Sequence, residues 1–325
     1  MLNEPYRIMN KSKSLLVLTV ALVALLLTLT LSACGGHQKE SKQLPPLKIG
    51  AMSSMDYLPY VVAEKMGIYD SLGLEVEIVK FFSANDRDAA FRAAQVDGTV
   101  IDYTGAAIQH AAGMPLALIT AHDGYFEMMA TGGLTTMEDL RGKKVGVSRN
   151  TVIDYSTDLM LRAAGMEPTD VEKPEVNKIP LRLEMMLGRE LDGSVFPDPF
   201  ITIAKSKGFA SLSSTKALGI SVTGTMMRRE ALDEKAESVK LLLRGYNLGV
   251  DYLLSHPRSE WQSILVEDAG IPEGLADRVT LPDYRHAALP SAKDMEETLA
   301  WLHEHDLVPA DYAGEGLVDG SYLPQ

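Results

Sequence analysis

The feature that most constrains this chain is a pair of short segments that occurs twice. Lys48-Ile49-Gly50-Ala51-Met52-Ser53 is echoed by Lys144-Val145-Gly146-Val147-Ser148, and Val96-Asp97-Gly98-Thr99-Val100-Ile101 by Leu191-Asp192-Gly193-Ser194-Val195-Phe196. Lys48 to Asp97 is 49 residues and Lys144 to Asp192 is 48, so the echoes keep one spacing. Two such units predict two similar α/β lobes. The competing reading is that any two strand-helix-strand segments look alike.

The first unit can be read element by element. Leu47–Met52 is a short apolar strand that runs into a polar turn. Val61–Met66 begins a helical pattern that closes at Gly67, and Leu74–Val79 alternates as a half-buried strand does. Asp86–Gln95 has helical composition, and Val96–Asp102 is a turn feeding a third strand. Strand, helix, strand, helix, strand implies parallel βαβ units. Two lobes of this kind turn the carboxyl ends of their strands toward a shared cleft. Ligands bind there, near helix N-termini, and a hinge lets such lobes close.

The N-terminus bears on the compartment. Arg7, Lys11 and Lys13 precede Leu15–Leu31, which carries no charge, and Leu31-Ser32-Ala33-Cys34-Gly35 follows. A basic region followed by an apolar run reads as a secretory signal. The small residues before Cys34 resemble the bacterial lipobox, which implies cleavage after residue 33 and lipid on Cys34. The alternative is an uncleaved membrane span, since the run is nearly long enough for a ~30 Å hydrocarbon core. Residues 34–46 then read as a lipidated flexible tether ended by Pro45-Pro46.

With 46% apolar and 23% charged residues, the rest of the chain has globular composition. A net charge of −13 offers no broad basic footprint for nucleic acid. One cysteine excludes a disulfide framework and a multi-cysteine metal site. None of the seven histidines has HExxH spacing, and there is no GxSxG elbow or phosphate loop. His303 and His305 are expected to face solvent. Neither a catalytic constellation, a metal site nor a cofactor is therefore expected.

Ser53-Ser54-Met55-Asp56-Tyr57-Leu58-Pro59 through Gly67-Ile68-Tyr69, followed by Leu72-Gly73-Leu74-Glu75-Val76, resembles the opening of the nitrate/sulfonate/taurine-type substrate-binding proteins of ABC transporters. Asp139-Leu140-Arg141-Gly142-Lys143-Lys144-Val145-Gly146-Val147, Phe196-Pro197-Asp198-Pro199-Phe200 and Trp301–Leu307 extend the likeness. It runs from Leu47 to the C-terminus and rests on the order of the motifs. The resemblance implies a two-lobed type II periplasmic-binding-protein fold, each lobe a central, mainly parallel sheet flanked by helices. Lobe 1 would be residues 47–122 and 222–325, and lobe 2 residues 123–221. It also implies a monomer that delivers a small molecule to a permease and ATPase from the outer face of the cell membrane or the periplasm. A sensor or surface lipoprotein on the same fold is the alternative.

Loops after strands supply the candidate ligand-binding residues. They are Ser53, Asp56 and Tyr57; Asp102, Tyr103 and Thr104; Ser148, Asn150, Thr151 and Asp154; and Asp198. Hydroxyls and free helix N–H groups suit a polar head, and tyrosines a flat body. Ser53, Thr151 and Asp102 read equally as helix caps, and Asp198 between two prolines as a turn former. Four aspartates, Asp56, Asp102, Asp154 and Asp198, are expected at the cleft, with Arg149 and Arg87 as its positive groups. That balance favours an amine or an aminopyrimidine-like heterocycle as cargo. A sulfonate-type anion held by helix N-termini stays open. The pairs Met128-Met129, Met185-Met186 and Met226-Met227 read as core filler.

Overall fold

The computed structural model describes residues 44–324. The expected signal segment 1–33, the lipid site Cys34 and the tether as far as residue 43 lie outside the described residues. Pro45 and Pro46 are tied down, since Ser238 and Lys235 donate to their carbonyls at 2.7 and 2.9 Å.

The strands are β1 (Leu47–Met52), β2 (Val76–Phe81), β3 (Gly98–Asp102), β4 (Leu116–His122), β5 (Phe126–Ala130), β6 (Val145–Gly146), β7 (Gly193–Pro197), β8 (Ala210–Ser214) and β9 (Thr223–Arg228). One sheet has the order β2-β1-β3-β9-β4 and the other β6-β7-β5-β8. Residues 172–176 lie parallel beside β6, with Val145 N–H donating to Glu172 O and Val176 N–H to Val147 O, both at 2.8 Å. With that edge included, the two lobes have one strand order.

The sheets are mixed, which refines the expectation of mainly parallel ones. β1 pairs in parallel with β2 and β3, and β6 with β7. β9 runs antiparallel to β3 and β4, and β5 antiparallel to β7 and β8. The chain crosses from β4 to β5 and returns from β8 to β9. Strands β5 and β9 therefore start at the cleft, where β1, β3, β6 and β7 end, and must run the other way.

The sequence echoes are the same hydrogen bonds made twice. Lys48 N–H donates to Asp97 Oδ2 at 2.9 Å, and Lys144 N–H to Asp192 Oδ2 at 2.9 Å. Asp97 and Asp192 return their own N–H to the carbonyls of Lys48 and Lys144, each at 2.8 Å. One step along, the Thr99 hydroxyl donates to Gly50 O and the Ser194 hydroxyl to Gly146 O, at 2.9 and 2.7 Å. Each aspartate clips the entry of one strand to the exit of the turn before its neighbour.

The long helix Ala236–Ser255 closes lobe 1 by burying Val239, Leu242, Leu243, Tyr246, Val250 and Leu253. Each such side chain contributes about 1.5–3 kcal/mol relative to exposure. It approaches the Leu58–Lys65 helix so closely that a Cβ on Gly249 would lie 2.2 Å from Pro59 O. Met128, Met129, Met226 and Met227 are fully buried in the sheets, as core filler should be.

The helix Ala292–Glu304 spans both lobes. It packs on the Tyr103–Ala111 helix of lobe 1, while its Trp301 indole N–H donates to Asp158 Oδ2 at 3.0 Å in the Val152–Ala163 helix of lobe 2. His303 and His305 are half-buried rather than solvent-facing. His303 contacts Tyr312 O at 2.9 Å, and His305 lies 3.2 Å from Asp158. Asp158 has no solvent exposure, so the neighbouring polar groups gather on it in place of water.

Candidate functional site

A cavity of about 50 Å³ lies between the lobes. One water needs ~10–15 Å³ by this measure, so the space suits a few waters or a small head group. Lobe 1 supplies Met52, Ser54, Asp56, Ala84, Arg87, Val100, Ile101, Asp102 and Thr223. From the other side come Phe126, Ser148, Thr151, Val152, Ile153, Asn177, Ile179, Arg182 and Pro197. Half of these residues are apolar and half polar, a wall that fits a small amphiphilic ligand.

Four helices begin at this wall: Ala84–Arg92, Tyr103–Ala111, Val152–Ala163 and Ile179–Leu187. Three have side-chain caps. Ser83 accepts from Asp86 N–H at 3.3 Å, Asp102 from Gly105 N–H at 2.8 Å, and Thr151 from Ile153 N–H at 3.2 Å. The Ile179–Leu187 helix has none. Converging N-termini give the cavity a positive bias.

Of the residues singled out in the sequence, Asp56, Asp102, Ser148 and Thr151 line the cavity. Asp56 is buried beside the Ser54 hydroxyl, and burial pushes its pKa up. Asp102 also accepts from Thr104 at 2.5 Å and pairs with Arg87 at 3.5 Å. Ser148 donates to Asn177 Oδ1 at 3.0 Å.

The others stand outside the wall. Ser53 is buried behind Ser54, and Thr104 serves Asp102. Tyr57 is in the core, donating to Asp268 O at 3.2 Å. Tyr103 is buried at 1% exposure, and its hydroxyl has no partner. Asn150 is exposed in a left-handed conformation at φ 61°. Asp154 is paired with Lys173 at 3.1 Å. Asp198 caps the Phe200–Ser206 helix through Thr202 N–H at 2.9 Å, and burial raises its pKa. Arg149 points away to Lys173 O at 3.1 Å, so of the two positive groups expected at the cleft only Arg87 lines the cavity.

Sequence reasoning missed Arg182. Its side chain is fully buried, its Nη1 donates to Val176 O at 2.9 Å, and its Nε and Nη2 have no partner. The guanidinium lies 5.5 Å from the centre of the Phe196 ring, and burial pulls its pKa down to about 9. It therefore stays charged at neutral pH with no carboxylate against it among the described residues. The signal was present: Arg182 falls between Ile179, Leu183 and Met186 on the apolar face of its helix. Arg87 is also buried, and its charge is opposed by desolvation. Asp88 at 2.9 Å and Asp102 more than offset this, holding its pKa above the usual value, while its Nη2 is free.

Residues 54–260 match the family model described as NMT1/THI5 like. A Haemophilus influenzae protein named for thiamine biosynthesis is 25% identical over 222 residues, covering 65% of this chain and 69% of that one. The periplasmic aliphatic sulphonate binding protein SsuA of Escherichia coli shares the fold, with TM-score 0.71 and 17% identity, over 84% of this chain and 97% of its own. The periplasmic nitrate-binding protein NrtA of Synechocystis does so with TM-score 0.68 and 14% identity, over 83% of each chain. The fold is not confined to binding proteins. The desulfurization enzyme DSZB matches with TM-score 0.62 and 13% identity, over 85% of this chain and 97% of its own.

Proposed function

This chain belongs to the NMT1/THI5-like family, and from that premise we propose that it is the extracytoplasmic binding lipoprotein of an ABC importer. In this reading residues 47–122 and 222–325 form one jaw and residues 123–221 the other. A small polar molecule enters the open cleft, the jaws close, and a permease with its ATPase accepts the closed form. Lipid on Cys34 keeps the monomeric protein at the membrane.

The observation that carries the reading is the cavity between the lobes, to which both contribute equally. Its wall contains polar groups from each side, so a ligand there is held by both jaws at once. Binding is favoured over catalysis because the wall offers neither histidine nor cysteine to pair with its serines and threonines. His122 is buried elsewhere, between Tyr246 and Thr225.

The test is a thermal melt of the full-length chain, in detergent, against sulfonates, nitrate, amines, aminopyrimidines and amino acids. Ligand at ~100 times its Kd stabilises the fold by ~2.7 kcal/mol, a shift of several degrees. No shift with any small molecule, from this panel or from a growth-medium extract, would count against a cargo-binding role. Binding without stimulation of the neighbouring permease-ATPase would favour a sensor.

A further inference from the structure

Residues 289–316 run out from lobe 1 and come back to it. Before them, Ala121 N–H donates to Ala288 O at 2.7 Å. After them, Leu118 N–H donates to Leu317 O at 2.7 Å and Asp319 N–H to Leu118 O at 2.9 Å. Both ends of the excursion are thus sewn to β4, the edge strand of the lobe 1 sheet, and the helix Ala292–Glu304 lies between them. Near its start, Asp294 accepts from Ser221 N–H at 3.3 Å, where the chain returns from β8 to β9. Beyond its end, the Tyr312 hydroxyl meets His110 of lobe 1 at 2.9 Å.

The far end of this helix is fastened to lobe 2. Trp301 is buried, its indole N–H donates to Asp158 Oδ2 at 3.0 Å, and its ring meets Tyr155 edge-on with centroids 5.4 Å apart. Glu304 accepts from both Nη groups of Arg162, from Nη1 at 2.9 Å. Tyr155, Asp158 and Arg162 follow one another at three and four residues, so they share one face of the Val152–Ala163 helix. The contact is apolar as well as bonded. Ala106 and Ala107 of lobe 1, Tyr155 and Leu161 of lobe 2, and Trp301 and Leu302 belong to one buried cluster. Lobes joined only by chain crossings move relative to each other by default, and an apolar contact between them is what opposes it.

We propose that this excursion is a strap that latches lobe 2 onto lobe 1 without any ligand, so that the empty protein rests with its rim closed. Asp294 sits at the crossing, and Glu304 lies about 15 Å further along the helix axis. Rotation of lobe 2 about the crossings therefore shears the contacts of Trp301 and Glu304, and the open form is a minor state reached by unlatching. Cargo enters during brief openings and holds a state that already prevails. The inference goes beyond the cargo-binding role and does not depend on it, because the latch is read with no ligand present.

The experiment uses the full-length chain with Cys34→Ser, dialysed free of small molecules, and spin labels at Ala89→Cys and Glu184→Cys. Both positions are exposed, on the helices that flank the rim from lobe 1 and lobe 2. Double electron–electron resonance reads the distance between them. With the strap intact, one short and narrow distance is expected. Arg162→Glu reverses a charge whose partner Glu304 is half exposed, and Trp301→Phe keeps an aromatic ring but drops the bond to Asp158. Together they should raise a longer-distance population about tenfold or more, as for a lost hydrogen bond to a charged acceptor. Adding Glu304→Arg restores the ion pair in reverse and should bring most of the short distance back. A long or broad distance with the strap intact overturns the proposal, and so does a short distance that persists in the Arg162→Glu/Trp301→Phe variant. Opening that Glu304→Arg does not reverse marks general loss of the fold and also overturns the latch.

Discussion

The amide of Ile179 donates to the carbonyl of Phe82 at 3.3 Å, a backbone bond that joins the two lobes across the cleft. Phe82 is half exposed, so the contact lies at the rim, one residue from the Ser83–Lys178 bridge. Ile179 itself lines the cavity, so this contact lies at its edge.

Antiparallel bridge partners have Cα atoms about 4.5–5.5 Å apart, inside the range a disulfide spans. The double variant Ser83→Cys/Lys178→Cys, made with Cys34→Ser, is expected to form a disulfide and trap the closed form. Cargo exchange should then slow at least tenfold on oxidation and recover on reduction. Equal exchange rates in both states would show that the rim does not gate the cavity.

Asp97 and Asp192 hold equivalent turns, so their loss should have the same sign and comparable size. Asp97→Ala and Asp192→Ala are each expected to destabilise the fold by about 0.5–1.5 kcal/mol, as for a hydrogen bond at an exposed turn. Asp97 should cost more, since it also accepts from Lys235 at 2.8 Å. Urea unfolding measures both, and a neutral effect at either site would remove the clip from the list of stabilising contacts.

His122 is buried, with Tyr246 at 3.2 Å and Thr225 at 2.7 Å on its two nitrogens, and burial pulls its pKa down to about 3. The unfolded chain titrates it near ~6.5. The unfolded state therefore gains a proton first, and stability falls as pH drops from ~6.5 toward 3, by up to ~1.4 kcal/mol per unit. Asp56 and Asp198, whose pKa values are raised, act in the opposite sense. The comparison is therefore wild type minus His122→Gln. The variant should be weaker at pH 7 but lose less between pH 6 and 4; parallel curves would assign the acid sensitivity elsewhere.

Asp158 is fully buried and gathers Lys173, the Trp301 indole at 3.0 Å and His305 at 3.2 Å. Removing the carboxylate leaves Lys173 to Asp154 alone and takes the acceptor from the Trp301 indole. Asp158→Ala is expected to cost roughly 1.5–3 kcal/mol, as for lost hydrogen bonds to a charged acceptor, with release of the Ala292–Glu304 helix read by faster hydrogen exchange there. Exchange that rises evenly over the whole chain would argue against a local tie.

Gly249→Ala places a methyl 2.2 Å from a backbone oxygen that has no freedom to move. The two helices must separate, at an expected cost of about 1–3 kcal/mol. A stabilised variant, the usual result for glycine in a helix, would show that the contact is loose.

The sequence by itself determined the two α/β units and their equivalence. The clips join residues a fixed number of positions apart within one unit, so Lys48, Asp97, Lys144 and Asp192 carry the pattern in their spacing. It also marked Asp56, Asp102, Ser148 and Thr151 as residues following strands, since strand ends lie at the cleft in this kind of fold. Spacing could not say which side chains turn inward. Tyr57 and Tyr103 go to the core because an apolar ring gains most from burial, and Asp154 goes to Lys173 because a nearby cation was available. Mixed strand directions followed from the double crossing between lobes, which no local pattern reveals. The meeting of Arg87 and Arg182 was decided only by the tertiary structure. Each is buried by its own lobe, but a shared cavity requires the two lobes to face each other, and that placement is set by contacts between segments far apart in the chain.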